Sequence, residues 1–151
     1  MHSYPVHKSF LEQLDLFHSS HAYTRDVPTM AAALGARVIT SSEASTMHED
    51  TQGRPLLVIR THNEYGRISS GRMMFSAMHE LAHLLFLRLD DGILARLFNK
   101  RFGRFPHEYK RRLEGICNDA ASRLRMPDVL LMPAVKLHGH SPKAVLELSR
   151  G

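Results

Sequence analysis

The segment 73–89 constrains the fold more than any other part of the chain, because it is apolar on almost every side of the helix that its spacing predicts. Ionisable side chains interrupt this apolar run only at His79, Glu80, His83 and Arg88. A helix that is apolar nearly all round has to be covered by the rest of the chain. We therefore expect this helix to lie in the core.

The composition indicates one ordinary folded domain that spans 1–151. Of the 151 residues, 43% are hydrophobic and 23% are charged, which argues against a disordered or fibrous chain. The one cysteine, Cys117, excludes an intramolecular disulfide framework and a multi-cysteine zinc or iron–sulfur site. The 20 basic residues exceed the 15 acidic residues and give a net charge of +5, which is a weak indication of an acidic partner.

The start of the chain and the length of its apolar stretches bear on where the protein acts. Residues 1–5 lack the basic cluster and the following apolar segment of a signal peptide. No apolar stretch reaches the roughly 18 residues that a membrane span requires. We therefore expect a soluble, cytoplasmic protein that has no membrane contact.

The order of the predicted elements indicates an α+β fold, with a few strands grouped before the central helices. The segment 56–59 is the clearest strand, because it is entirely apolar and partly β-branched. A polar loop is expected over 41–53, and a turn region over 62–71 with a short edge strand at 67–69. The other predicted elements are a short strand over 37–40 and helices over 6–22, 28–34, 72–89, 93–102, 106–125 and 143–148.

Residues His79-Glu80-Leu81-Ala82-His83 form the pattern H-E-x-x-H on the predicted central helix. Residues four apart lie on one face of a helix, so both imidazoles can reach one Zn²⁺ ion. Glu80 lies beside them, where a carboxylate can take a proton from water at the metal. A random chain of this composition would contain the pattern roughly 0.04 times. Inside so apolar a helix the three polar side chains also need a partner, which a metal would provide.

A catalytic zinc ion usually has three protein ligands, so a third ligand is expected downstream. The candidates are His107, Glu108, Glu114, His138 and His140. Glu114 is the best placed, because it lies on the flank of the apolar stripe of the helix 106–125 and can point along the interface between the two helices. His107 and Glu108 lie at a helix start, where Glu108 is explained equally well by the helix dipole. His138 and His140 flank Gly139 in a loop, where solvated histidines are the favoured interpretation.

Two blocks of the sequence resemble the ImmA/IrrE family of metallopeptidases. The first is the helix segment 72–85 with the H-E-x-x-H pattern, and the second runs from Glu114 through Asn118 to Met126-Pro127. The chain differs from the usual pattern of the family at Cys117, Ala120 and Arg125, which are packing positions. The predicted ligands are therefore unaffected by these differences.

The resemblance implies a zincin-like fold, in which a small sheet packs on the helix that bears H-E-x-x-H and a second helix bears the third ligand. It implies that His79, His83 and Glu114 bind Zn²⁺, with Mn²⁺ as an alternative, and that Glu80 is the general base. It further implies a zinc-dependent intracellular endopeptidase whose substrate is a helix-turn-helix transcriptional repressor, cut under stress to relieve repression.

Two questions stay open at the level of the sequence. Three nitrogen and oxygen ligands suit Zn²⁺, but Mn²⁺ and Fe²⁺ also accept them. The residue that stabilises the oxyanion has four candidates without a preference among them: His62, Tyr65, His107 and Tyr109.

A basic segment at 96–112 supports a competing hypothesis. Seven basic residues there are interleaved with Phe98, Phe102, Phe105 and Tyr109, which is a composition that single-stranded nucleic-acid grooves also show. The favoured interpretation is that the aromatic side chains pack inward and that the basic side chains form a solvated face. The competing function is a non-proteolytic basic regulator that binds a repressor or nucleic acid and holds its metal for structural reasons only.

Overall fold

The computed structural model describes residues 5–127, in which a small sheet packs on a group of helices. The mixed α+β class that the sequence predicts is confirmed. The predicted helix over 143–148, His138 and His140 lie outside the described residues. The elements are α1 (Pro5–Ser20), α2 (Val27–Ala33), β1 (Arg37–Ser41), β2 (Thr46–Glu49), β3 (Pro55–Arg60), β4 (His62–Asn63), β5 (Gly66–Arg67), α3 (Ser70–Arg88), α4 (Ile93–Phe102) and α5 (Pro106–Arg125).

The main sheet has the strand order β1-β3-β2, with β3 in the centre. Strand β3 is parallel to β1 and antiparallel to β2, so that Leu57 lies between Val38 and Met47. The side chains of β3 are buried from Pro55 to Ile59, as its apolar sequence predicts. One face of the sheet therefore packs on α3, and β1 and β2 are its edge strands.

The structure corrects the prediction of a polar loop over 41–53, because β2 lies within it. Three of the four β2 residues are exposed, so their polar character masks the strand. The expected edge strand at 67–69 is also shorter: only Gly66–Arg67 pairs, with His62–Asn63. Ser69 caps α3 instead, because its hydroxyl accepts a hydrogen bond from the amide of Arg72. This cap explains why α3 begins at Ser70, two residues before the predicted start.

Helix α3 lies at the centre of the fold, as the apolar run predicts. Seven of its side chains are buried, six of them apolar, and its most extensive contacts are with α5 and β3. Helix α5 runs antiparallel to α3, since its middle faces His79 and His83 while its last residue, Arg125, reaches Gly71. Small side chains on α5 allow this close approach, because Cys117, Ala120 and Ala121 are fully buried.

Aromatic side chains join α1 and α4 to this pair of helices. The ring of Phe86 on α3 makes edge-to-face contacts with Phe10 on α1 and Phe98 on α4, with centroid distances of 5.2 and 5.4 Å. Phe98 also contacts Tyr109 on α5, and Phe102 is buried. The inward packing expected for the basic segment therefore holds for three of its four aromatic residues, and Phe105 is 54% exposed.

Among the described residues, no helix is both long enough and apolar enough to cross a membrane.

A buried histidine closes the turn that follows α1. His18 is 2% exposed, and its Nε2 lies 2.7 Å from the carbonyl oxygen of Thr24. Ala22 and Tyr23 have positive φ angles of 53° and 54°, which ends α1 at Ser20, two residues before the predicted end. Burial lowers the pKa of the His18 imidazole below its ordinary value, although the hydrogen bond to Thr24 and the charge of Asp15 oppose this shift.

This lowered pKa makes the stability of the fold depend on pH. The unfolded chain binds the proton more readily than the folded one, so stability falls as the pH drops through about 6.5, by at most about 1.4 kcal/mol per pH unit for this one group. We expect His18→Gln, whose amide can donate to Thr24, to lose less stability between pH 7.5 and 5.0 than the wild type. Denaturant unfolding at both pH values measures this difference. His48→Gln, at an exposed site on β2, is the control and should lose as much stability between the two pH values as the wild type does. A loss in the His18 variant equal to that of the wild type would contradict the prediction.

Candidate metal centre

His79 and His83 lie one helical turn apart on the side of α3 that faces α5. Their side chains are 16% and 17% exposed, so they lie at the rim of the core rather than in open solvent. The two Nε2 atoms are 3.2 Å apart, and the two rings are tilted by 74°. Both nitrogens therefore point to one place beside α3.

Glu114 on α5 completes this group. Its Oε2 lies 2.9 Å from Nε2 of His79, and its Oε1 lies 3.2 Å from Nε2 of His83. Of the three candidates for a third ligand that the structure describes, it is the one beside both histidines. Each of the three side chains offers a ligand atom within 4.8 Å of the others, so the group can hold a metal ion.

The distances and donor types fit a divalent transition metal. Two ligand atoms that each lie 2.0–2.1 Å from a tetrahedral ion are about 3.3 Å apart, close to the separations of 2.9–3.2 Å observed here. Imidazole nitrogen and carboxylate oxygen suit Zn²⁺, and they also suit Mn²⁺ and Fe²⁺. Burial lowers the pKa of His83, which keeps its imidazole in the neutral, ligating form, although Glu114 opposes the shift.

Glu80 points to the same cleft without joining the group of three. Its side chain is 7% exposed, and within residues 5–127 its carboxylate makes no ion pair or hydrogen bond. Burial raises the pKa of this carboxyl, the nearby His79 lowers it, and the negative charge of Glu114 raises it. It lines a cavity of about 370 Å³ together with Ser45, Phe75, Ser76, His79, Glu114 and Asn118.

The two other candidates for a third ligand within residues 5–127 lie elsewhere. Glu108 forms ion pairs with Arg111 and Arg112, which hold the pKa of its carboxyl below the ordinary value. His107 is exposed at the start of α5. These two residues therefore do not take part in the group that the structure brings together.

None of the four candidates for oxyanion stabilisation lines the part of the cavity that the described residues form. Tyr65 is 90% exposed, and Tyr109 packs on Phe98. The structure instead places Asn118 and Ser45 at the cavity wall. Asn118 follows Glu114 by one helical turn, a spacing that is visible in the sequence, whereas Ser45 lies in the segment predicted to be a loop.

Cys117 lies next to the site but faces the core. Its side chain is fully buried, and burial raises the pKa of the thiol, with further contributions from the charges of Glu114 and Glu80. The thiol therefore stays protonated and packs as a small apolar side chain.

Comparison of the chain with models of known protein families and with characterised proteins gives no significant match.

The geometry predicts which substitutions remove the metal. We expect the wild type to bind one equivalent of Zn²⁺, and His83→Ala and Glu114→Ala to weaken binding by more than about a hundredfold, since loss of even an outer-shell partner costs 10–100-fold. Elemental analysis and competition with a chelator measure this. Glu108→Ala is the matched control on α5 and should bind zinc as the wild type does. A full equivalent of zinc in His83→Ala at wild-type affinity would contradict the assignment.

Proposed function

We propose that this protein is a metal-dependent endopeptidase, with His79, His83 and Glu114 as the ligands and Glu80 as the general base. The observation that carries the proposal is the position of Glu80. Its carboxylate is buried, has no partner among the described residues, and faces the cavity that His79 and Glu114 also line. A metal site with a purely structural role would not need this fourth group, whose burial costs free energy.

The chemistry assigned to each residue follows from this arrangement. When bound, zinc supplies Lewis acidity, which polarises a carbonyl group and makes water a nucleophile at neutral pH. Glu80 accepts the proton from the attacking water and later delivers it to the departing amide nitrogen. Its raised pKa suits both steps, because a group that first takes and then returns a proton works best when its pKa lies nearer to neutrality.

The walls of the cavity support an extended peptide as substrate. Strand β2 is at the edge of the sheet, and Ser45, which directly precedes it, lines the cavity. An extended peptide can add to such an edge by main-chain hydrogen bonds. Asn118 and Ser76 offer an amide and a hydroxyl at the same cavity for further hydrogen bonds.

The resemblance to ImmA/IrrE metallopeptidases supports a regulatory substrate in the cytoplasm. We propose a dimeric helix-turn-helix repressor that is cut near its dimerisation region under stress. Such a cut would release DNA, because each half-site would then be held by a single subunit without its partner. A small cavity also favours a limited set of cleavage sites over general protein digestion.

A basic regulator with a structural metal is the second candidate. The basic residues of α4 and α5 favour it, together with the exposed ring of Phe105, which lies 6.0 Å from the guanidinium carbon of Arg104. Inward packing of Phe98 and Phe102 leaves little aromatic surface for stacking on bases, so this candidate has less support.

Glu80→Gln separates the two candidates. We expect this variant to keep its fold and one equivalent of zinc, and to lose cleavage by about 10²–10⁴-fold, since this is the usual contribution of a general base. The assay incubates the protein with zinc or manganese and with helix-turn-helix repressors from the same organism. Repressors encoded next to the protein are tested first. Mass spectrometry should detect one discrete pair of fragments with the wild type. Glu12→Gln, at an exposed position on α1, is the control.

Two outcomes would contradict the peptidase. One is a repressor that binds the protein tightly but stays intact with every metal. The other is a Glu80→Gln variant with full biological activity. Either result would favour the regulator.

A further inference from the structure

A second cavity continues the cleft of the candidate metal centre toward the N-terminal end of α3. It has a volume of about 490 Å³ and shares Phe75 and Ser76 with the cavity beside Glu80. The two cavities together form one groove that follows the interface of α3 and α5. A peptide whose carbonyl lies at the metal ligands can therefore extend into the second cavity.

Two arginines line this second cavity, which we call the distal cavity. Arg72 comes from the first turn of α3, and Arg125 from the last residue of α5. The Nη2 atom of Arg125 lies 3.5 Å from the place that a Cβ atom on Gly71 would occupy, so this guanidinium reaches across to α3. Residues that are far apart in the sequence thus bring two positive charges to one cavity.

Neither guanidinium is neutralised by the part of the chain that the structure describes. Arg37, Arg112 and Arg123 each form an ion pair with a carboxylate, but Arg72 and Arg125 form none within residues 5–127. The described lining of the distal cavity contains no acidic residue. The first turn of α3 also has no acidic residue, so the positive end of the helix dipole adds to the same potential.

We propose that Arg72 and Arg125 form an anion-binding subsite, which selects an aspartate or glutamate side chain of the peptide substrate. This inference rests on the proposed peptidase function. Arginine suits the role, because its planar guanidinium can bind a carboxylate through two parallel hydrogen bonds.

The position of the subsite predicts where the acidic residue lies in the substrate. Arg72 precedes His79 by about two helical turns, or roughly 10 Å along the axis of α3. An extended peptide advances by about 3.3 Å per residue. The acidic side chain should therefore lie about three residues from the bond that is cut.

Short synthetic peptides test the subsite by binding and by cleavage. The peptides carry a fluorescent label, consist of alanine, leucine, threonine and glutamine, and have one glutamine at a time replaced by glutamate. Zinc-loaded wild-type protein should bind the best glutamate peptide about tenfold more tightly than its glutamine counterpart, as measured by fluorescence anisotropy. Arg72→Gln/Arg125→Gln should abolish this preference, because it weakens the binding of the glutamate peptide more than that of the glutamine peptide.

Two further variants make the test specific. Arg54→Gln/Arg88→Gln removes the same charge at two exposed positions outside the groove, and it should keep the preference. Arg72→Lys/Arg125→Lys retains both charges and should keep part of the preference for the glutamate peptide. An equal loss of preference in the Arg54/Arg88 variant, or no preference in the wild type, would overturn the proposal.

Cleavage of the same peptides separates this proposal from the peptidase itself. If the zinc-loaded wild type cuts glutamate peptides faster than glutamine peptides and the Arg72/Arg125 variant does not, both the anion-binding subsite and the peptidase function are supported. If no peptide is cut but the binding preference depends on Arg72 and Arg125, the subsite stands and the peptidase assignment fails.

Discussion

The packing of α5 against α3 is the contact on which the rest of the site depends. Ala120, Ala121 and Cys117 are buried at the face that α5 turns to the core, and their small volume lets the two helices approach closely. This approach brings the carboxylate of Glu114 to 2.9 Å from His79. A shift of α5 by one residue would rotate Glu114 by about 100° and remove it from the group. The core thus determines the geometry of the group that can hold a metal ion.

Different sides of the central helix α3 contribute side chains to the core and to the candidate metal centre. Leu81, Leu84 and Leu85 are buried, whereas the imidazoles of His79 and His83 lie at the rim and are partly exposed to solvent. Burial of Glu80 at this boundary costs free energy, because its carboxylate loses water and gains no partner among the described residues. The structure thus places a carboxyl group with a raised pKa beside three side chains that can hold a metal ion, an arrangement typical of functional sites.

The sequence predicts those parts of the structure that depend on local periodicity. The helical spacing of α3 and α5, the apolar strand β3 and the four-residue spacing of His79 and His83 all follow from patterns within one element. The position of Glu114 on the flank of its helix also predicts that it faces α3, which the structure confirms. Strand β2 and Ser45 were missed, because an exposed edge strand has no apolar alternation. Arg72 and Arg125 line one cavity because the start of α3 lies beside the end of α5. No local sequence pattern predicts this arrangement.

X-ray absorption at the zinc edge tests the central claim most directly, because it reports the ligands of the ion in the loaded protein. We expect scattering from two imidazoles and from oxygen, with zinc at about 2.0–2.1 Å from nitrogen and oxygen. The His83→Ala protein should lose the signal of one imidazole. A sulfur ligand at about 2.3 Å, which would have to come from Cys117 or a methionine, or a shell of oxygen alone, would contradict the account.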